Sequence, residues 1–438
     1  MVIFTDEAAI GTPYWWEALR ETAAPETADL PAHVDLLVIG AGYTGLSAAL
    51  AAQDCGASVA VVDAGEPGAG ASTRNGGMFG AHPRLSWSRL AAQFGPGTAD
   101  SLFAEAAPAR DFVLDLITRH GISCDLQETG RIQLAWTRSH AQAQSRLADD
   151  IRAKSDVPID VLDRDTMSRE ITTERYFGGL LFADHCAIHP AKFHRGLWRA
   201  AAQKGIAVCG NAAVSAYERS TKGFTVRTAR GDITAEKIVL ATNGYTTLPF
   251  RWHLARVFPL PSYIIATEEL PSNLIGHLAP GRRMMVETRA RHSYFRLSPD
   301  GKRVLFGGRA SMRHVPLEVA ARRQHATMCE IWPELEDIRL SHVWTGNTGY
   351  AFTEMPHIGE DNGLYYAMGF SGSGTVMAPY LGAKAAFRAM GDVRGQTAYA
   401  DTRFKRHWLH PTTKPHFLRA ADLWYRTWVD TRDRMQGR

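Results

Sequence analysis

The sequence predicts an α/β protein with an α+β second domain: a nucleotide-binding domain built on parallel strands, and a second domain built on a mostly antiparallel sheet. Three observations carry this. The apolar run Val34–Ile39 stops at a glycine, and Gly40, Gly42 and Gly45 lead into the small-residue stretch Leu46–Ala52. That is a buried strand, a tight turn and a helix. Further apolar runs, Ala57–Val62 and Lys237–Ala241, also end in small or acidic residues. Long strand-like segments follow at Val257–Glu268 and Arg291–Arg309, the latter folded at the Asp300–Gly301 turn between Tyr294–Leu297 and Val304–Phe306.

Each glycine of the first turn has a separate use. Gly40 permits the turn, Gly42 lets backbone approach a pyrophosphate, and Gly45 lets the helix pack on the strand. The helix N-terminus then offers free N–H groups to phosphate. Asp63 lies 18 residues past Gly45, near the spacing of a carboxylate that binds a ribose hydroxyl. A membrane span over Val34–Ala52 would need about 20 mostly apolar residues. Asp35, the glycines and the polar Tyr43, Thr44 and Ser47 oppose it.

At 438 residues the chain is too long for one compact core and predicts two domains sharing one cofactor. The composition is that of a globular protein, 45% hydrophobic and 21% charged, with net charge +4. The pI near 8.8 comes with no arginine- or lysine-dense helix or tail, so no nucleic-acid partner is expected. Five scattered cysteines without a CxxC argue against a disulfide framework and against a metal site. They suit a reducing compartment, and the N-terminus lacks the pattern of a signal peptide, so a cytoplasmic enzyme without membrane partner is expected. Nothing in the sequence sets the oligomeric state.

In chain order, residues 1–32 read as an irregular arm broken by Pro13, Pro25 and Pro31. Its Tyr14–Trp15–Trp16 is either an aromatic anchor or a wall of the substrate entrance. Residues 33–95, 178–250 and 340–395 are assigned to the nucleotide-binding domain, 96–177 and 251–339 to the substrate domain, and 396–438 to a helical tail packed on the body through Trp408, Trp424, Tyr425 and Trp428. Helices are expected over Ala99–Ala107, Ala109–His120 and Ser139–Ala153, with a strand over Asp125–Ala135. Pro190 is suited to open a helix, because its missing N–H costs nothing there. A strand at Ala207–Tyr217 and a hairpin through Gly223 to Ile233 follow. Leu364–Gly374 and the helix Val376–Ala386 repeat the strand, glycine turn and helix of the opening.

Directly after Asp63 comes a second glycine-rich segment, Gly65 to Met78, which contains Gly70-Ala71-Ser72-Thr73-Arg74-Asn75-Gly76-Gly77. The Ala241-Thr242-Asn243 turn and the order Pro356-His357-Ile358-Gly359, Gly369-Phe370-Ser371-Gly372-Ser373-Gly374 complete a set. On these motifs the chain resembles the D-amino-acid-oxidase-like superfamily of FAD-dependent oxidoreductases, and within it the branch containing gamma-glutamylputrescine oxidase. The resemblance spans about Tyr14 to Ala386. It implies a Rossmann-like FAD-binding domain, and FAD needs a second backbone approach because it lies extended.

The cofactor-binding residues so implied are Gly40, Gly42, Tyr43, Thr44, Gly45, Asp63 and Ala64 around the pyrophosphate and ribose. Val214 would pass the adenine, and Gly70, Ala71, Ser72, Arg74, Asn75, Gly76, Gly77 and Met78 would run toward the ring. Thr242, Asn243, Gly244, Gly346, Gly369, Ser371, Gly372, Ser373, Gly374 and Thr375 would flank it. His292, Tyr294, Arg296 and Tyr350, with Trp344, are the candidates for the catalytic cavity. Arg291, His292 and Arg296 are the best placed to hold a substrate carboxylate. The implied reaction is oxidation of a small-molecule amine, gamma-glutamylputrescine-like or amino-acid-like. A hydride passes to flavin, the imine hydrolyses, and molecular oxygen is reduced to peroxide.

Two departures stand out. Some relatives attach flavin to a cysteine where this chain has Val343–Gly346, so non-covalent FAD is expected. Sarcosine oxidases place a lysine where this chain has Val304, Leu305 and Phe306, which leaves open a dehydrogenase or a flavin-binding electron-transfer subunit.

Overall fold

The computed structural model describes residues 2–20, 23–80, 82–410 and 415–436. Two sheets organise it. The first has eight strands, with Val214–Ser220, Gly223–Thr228, Gly231–Leu240, His33–Ile39, Val59–Val62 and Ala207–Cys209 in that spatial order. Leu364–Met368 pairs parallel with the end of Gly231–Leu240, and His357–Asp361 pairs with Leu364–Met368. The central strands are buried on both faces, as parallel strands flanked by helices must be. Their register aligns Leu240 with Ile39 and Ile39 with Val62, so the carboxyl ends open together at Gly40, Asp63 and Ala241.

The helix Tyr43–Gln53 runs back from the first turn between this sheet and the helix Gly374–Ala389. It is rich in alanine and buried nearly throughout, so its backbone can come close on both sides. At Gly382 a methyl group would stand 2.2 Å from the Thr44 carbonyl oxygen, which fixes the distance between the two helices.

The second sheet has nine strands and six of its eight neighbouring pairs are antiparallel. Its order is Phe4–Ile10, Leu340–Ala351, Val257–Thr267, Val304–Gly308, Ser293–Leu297, Met284–Glu287, Arg131–Leu134, Gly179–Phe182 and Ile159–Leu162. The expected Asp300–Gly301 turn joins Ser293–Leu297 to Val304–Gly308, with Gly301 at φ +73°. Among the described residues no helix is long and apolar enough to cross a membrane.

Several sequence expectations change. The arm is not wholly irregular: Phe4–Ile10 adds a strand parallel to Leu340–Ala351, completing the edge of the large sheet. Leu340–Ala351 and Gly179–Phe182 themselves lie in that sheet rather than the nucleotide-side one. The stretch Ala207–Tyr217 splits at Asn211, whose φ of +54° turns the chain so that Asn211 and Ala212 donate to the Gly65 and Asp63 carbonyls. The strand expected from Asp125 begins only at Arg131, because Asp125 sits at φ +50° and Gly130 at φ +70°.

The C-terminal tail does not pack through its tryptophans. Trp408 and Trp428 are 79% and 67% exposed. Tyr399, Phe404 and Leu418 carry the tail's apolar contacts, and carboxylates add to them: Asp422 accepts from Ser311 Oγ and Met312 N, and Asp430 pairs with Arg291. Arginine-rich strand ends attract the acidic side chains of the tail, while Trp408, Trp424 and Trp428 stay outside.

Burial holds several histidines neutral. It pushes His194 down to about 4 and His253 and His357 to about 3, and it lowers His82 and His185 well below the usual range. The unfolded chain binds those protons near pH 6.5 and the folded chain does not, so stability is full above that pH and falls as pH drops toward 4. Unfolding free energies from denaturant titrations at pH 7.5, 6.5 and 5.5 should fall, by about 1 kcal/mol or more per pH unit below 6.5. A midpoint independent of pH over this range would contradict the neutral burial.

Candidate active site and cofactor cleft

A cleft of about 370 Å³ runs along the aligned carboxyl ends of the parallel strands. Gly40, Gly42, Tyr43 and Thr44 form its first wall, Asp63 and Ala64 the second, Thr242 and Asn243 the third, and Val214 closes one end. Gly40 has φ +109°, and a side chain there would meet the Ala241 carbonyl oxygen at 2.9 Å. At Gly45 a methyl group would stand 1.8 Å from the Gly40 oxygen, so the helix can begin here only with glycine. The N–H groups of the first helical turn have no intrahelical partners and face the cleft.

Asp63 accepts from Ala41 N at 2.7 Å and from Gly65 N at 3.0 Å. These bonds hold the carboxylate while burial raises its pKa. The donor set fits a dinucleotide: a glycine cradle at a helix N-terminus, and a fixed carboxylate one strand away.

The segment Gly70–Met78 leaves this cleft and enters a second cavity of about 230 Å³. Ala71, Asn75, Thr348, Gly372 and Thr375 line both, so the two spaces share a wall. Three indoles hold the segment. Trp15 donates to Asn75 O at 2.8 Å, Trp16 to Thr73 Oγ1 at 2.9 Å and Trp344 to Arg74 O at 3.0 Å. The aromatic arm is therefore an anchor, and neither Trp15, Trp16 nor Trp344 lines the substrate cavity. Asn75 braces the segment from within, donating to Ala71 O and Ser72 O and accepting from Gly77 N.

Arg74, Gly76, Met78, His292, Tyr294, Gly346 and Tyr350 line the second cavity, together with Ser262 and Asn347. Other expected residues lie behind the walls. Gly45 and Gly77 are packing positions, the latter against the Ile188 oxygen. Gly244 packs on Gly349, and Gly369 on Ala351. Ser371 is fully buried and donates to Gly369 O, and Ser373 donates to Phe370 O.

Arg296 and Arg291 are corrections in the same sense. Arg296 is spent on the Gly77, Ile188 and Leu297 carbonyls and on Gln127, and Arg291 on Asp430, so neither points a free guanidinium into the cavity. The arginines that line it are Arg84, Arg131 and Arg309 besides Arg74, and sequence reasoning missed all three. Only the arginine richness of 282–323 hinted at Arg309; nothing local marks Arg84 or Arg131.

The electrostatics are lopsided. Burial pushes Arg131 and Arg309 down to about 10. Burial and the neighbouring Arg309, Arg84 and Arg131 hold His292 neutral, well below its usual pKa. Burial raises Tyr294 to about 12, and its hydroxyl lies 2.9 Å from Ser262 Oγ, so at neutral pH it is a hydrogen-bonding group and not a base. Beyond Arg309 lies a third cavity of about 400 Å³, walled by Trp136, Arg289, Arg291 and the tail residues Arg426, Asp430 and Asp433.

Residues 35–388 match the model of the FAD dependent oxidoreductase family. The chain is 31% identical over 399 residues to a probable oxidoreductase OrdL of Rhizobium meliloti, covering 88% of this chain and 90% of that protein. It is 28% identical over 390 residues to the gamma-glutamylputrescine oxidoreductase of Escherichia coli, covering 89% and 91%. The crystal structure of glycine oxidase from Geobacillus kaustophilus superposes with a TM-score of 0.70 at 20% identity, over 86% of this chain and 99% of that one, and shows the same fold. The chain belongs to the FAD-dependent oxidoreductase family.

A Gly42→Val variant tests the cradle. Its Cβ would meet Ser72 Oγ at 2.8 Å, and that oxygen accepts from Tyr43 N, so both the turn and the phosphate approach are lost. Wild-type protein is expected to release FAD, and not FMN, on denaturation. The variant should fold with less than about a tenth of that FAD, a loss of at least 1.4 kcal/mol in binding. Normal FAD content in the variant would overturn this placement of the pyrophosphate.

Proposed function

We propose that the protein oxidises a primary or secondary amine bearing a carboxylate, with molecular oxygen as the electron acceptor and hydrogen peroxide as its product. The observation that carries this is the wall that the cofactor cleft shares with a cavity of surplus positive charge. Bound FAD would supply the two-electron acceptor for a hydride from the carbon beside nitrogen, and the imine would hydrolyse to a carbonyl product. No paired carboxylates or nucleophile–base pair lines the cavity among the described residues, which fits a reaction whose chemistry resides in the cofactor.

The chain's own residues bind and orient. Gly40–Gly45 and Asp63 would hold the pyrophosphate and ribose, and the turn Gly372–Gly374 would lie at the pyrimidine edge of the ring, where negative charge develops. The cavity arginines would take the substrate carboxylate. Tyr294 and Ser262 offer a hydroxyl pair beside the Gly76 backbone. His292 stays neutral, and burial with the neighbouring arginines opposes its protonation, so it offers a ring nitrogen as a hydrogen-bond acceptor to the substrate nitrogen.

Non-covalent attachment is supported by the cysteines, none of which lines either space. Acid-precipitated protein should be colourless, with the flavin in the supernatant; a yellow pellet would contradict this.

One observation favours a second reading, a dehydrogenase that passes electrons elsewhere. No lysine lines either space among the described residues, and Lys302 is on the surface 3.6 Å from Glu269. Stopped-flow reoxidation decides between them: an oxidase returns to the yellow form in air and accumulates peroxide in step, and a dehydrogenase does so only with an added acceptor.

The reactive substrate should be the neutral amine, because hydride departure leaves positive charge on nitrogen. An alkyl ammonium has a pKa of about 10.4, so anaerobic flavin bleaching should speed up as pH rises. If His292 takes the ammonium proton, His292→Gln should flatten the acid limb and slow bleaching at pH 7 by roughly 100-fold, within the usual range for a general base. An unchanged profile would make His292 a wall residue. An acid optimum with no alkaline rise would count against amine oxidation and favour a hydroxy acid.

A further inference from the structure

The substrate cavity carries charge that its own walls do not balance. Arg84, Arg131 and Arg309 reach it, and no Asp or Glu lines it among the described residues. The cavity beyond Arg309 supplies the contrast. There Arg289 meets Glu287 at 2.5 Å and Glu330 at 3.3 Å, and Arg291 meets Asp430, so the arginines already have their carboxylates.

Arg131 gives one N–H to His82 Nε2 at 3.0 Å and lies over the Phe182 ring. A guanidinium only donates, so His82 Nε2 must accept, and its Nδ1–H then donates to His185 Nε2 at 3.1 Å. That chain is neutral and supplies no counter-charge. Arg131 Nε is buried with no partner; Asp184 gives it part of a counter-charge through space, but bonds Arg110 and not Arg131. Arg309 donates to the Tyr350 hydroxyl and lies 4.6 Å from the centre of its ring, with Arg84 at 5.4 Å from the same ring. Glu354, 3.7 Å from Arg84, is shared with Arg89 at 3.2 Å and is itself well exposed.

The two ends are also well separated. Arg131 opens one strand of the large sheet and Arg309 follows Val304–Gly308, with Met284–Glu287 and Ser293–Leu297 between them. Three strand spacings amount to roughly 14 Å across the sheet. The register sets Arg131 level with Leu305 and so places Arg309 four residues further along it, roughly 13 Å more in that direction. Val286 and Tyr294 line the span between the two arginines. One carboxylate cannot satisfy guanidiniums approaching from both sides.

We infer that the substrate is an amine with two carboxylates, one received by Arg131 and the other by Arg309 with Arg84, so that its central C–N bond lies beneath Tyr294; this rests on the amine oxidation proposed above. An amine with a second ammonium at its far end would be repelled by the same walls. Burial leaves both guanidiniums short of solvation, which a dianion would relieve.

The test is binding first and turnover second. Succinate and glutarate, against acetate and butyrate, would be titrated into the FAD-loaded full-length protein by calorimetry and by perturbation of the visible flavin spectrum. The dicarboxylates should bind roughly 10- to 100-fold tighter, the gain of charge-assisted bonds to a second anion. Arg131→Met and Arg309→Met should each reduce that ratio to near unity, and Arg131→Lys and Arg309→Lys should keep part of it.

Equal affinities for succinate and acetate in the wild type would overturn the inference, whether or not the variants fold. A ratio that survives both methionine substitutions would overturn it as well. Anaerobic bleaching by aspartate, glutamate and iminodiacetate, against glycine and N-methylglycine, separates this from the broader proposal. Equal efficiency in the two groups keeps amine oxidation and removes the dianion. Tight succinate binding with no bleaching by any amine keeps the dianion site and removes amine oxidation.

Discussion

The rest of the structure depends on one close approach. At Gly45 the first turn of the helix Tyr43–Gln53 comes so near the end of the strand His33–Ile39 that any side chain would strike the Gly40 carbonyl. Because it can come that near, the free N–H groups of the helix open beside Asp63 and Asn243, at the aligned ends of the neighbouring strands. The far side of the same helix packs on Gly374–Ala389 through Gly382, which sets where the C-terminal glycine turn arrives. Both ends of the cofactor cleft thus follow from helix contacts made by residues without side chains.

The second constraint is the route from cleft to cavity. The segment Gly70–Met78 has few side chains with which to hold itself, and its backbone must lie close to a ligand. Its carbonyls and Thr73 hydroxyl are gripped from outside by Trp15, Trp16 and Trp344. Large rings bring apolar contact and a single polar handle, which suits them to fix a backbone without entering the site. This explains why an N-terminal arm and the strand Leu340–Ala351 meet at the same place, one supplying two indoles and the other the third.

The arginines show how placement decides meaning. Arg289, Arg291 and Arg296 have partners supplied by their own sheet, the tail or nearby carbonyls, and they act as struts. Arg84, Arg131 and Arg309 line a cavity without carboxylates, and the buried Nε–H of Arg131 has no partner of its own. Burial and the same electrostatic surplus keep His292 neutral, so one arrangement attracts an anion and leaves an uncharged imidazole beside it.

Much of this was legible in the chain itself. Gly40, Gly42 and Gly45 encode a local turn, and a local turn depends on residues adjacent in sequence, so the strand, the helix and the carboxylate Asp63 at the next strand's end could be read directly. Period-two strands and the Asp300–Gly301 turn are local in the same way. The cavity was not legible, because its lining comes from strands that neighbour one another only in the folded sheet. Arg131 and Arg309 are far apart in sequence, and no motif separates them from Arg291 or Arg296, which the structure occupies elsewhere. The exposed tryptophans of the tail follow the same rule, since other tail residues, Tyr399, Phe404 and Leu418 with the carboxylate of Asp422, dock it. Sequence determined the glycine cradle because backbone conformation is local; the tertiary structure alone decided the arginine-lined cavity, because charge balance is settled by which distant groups come to share a space.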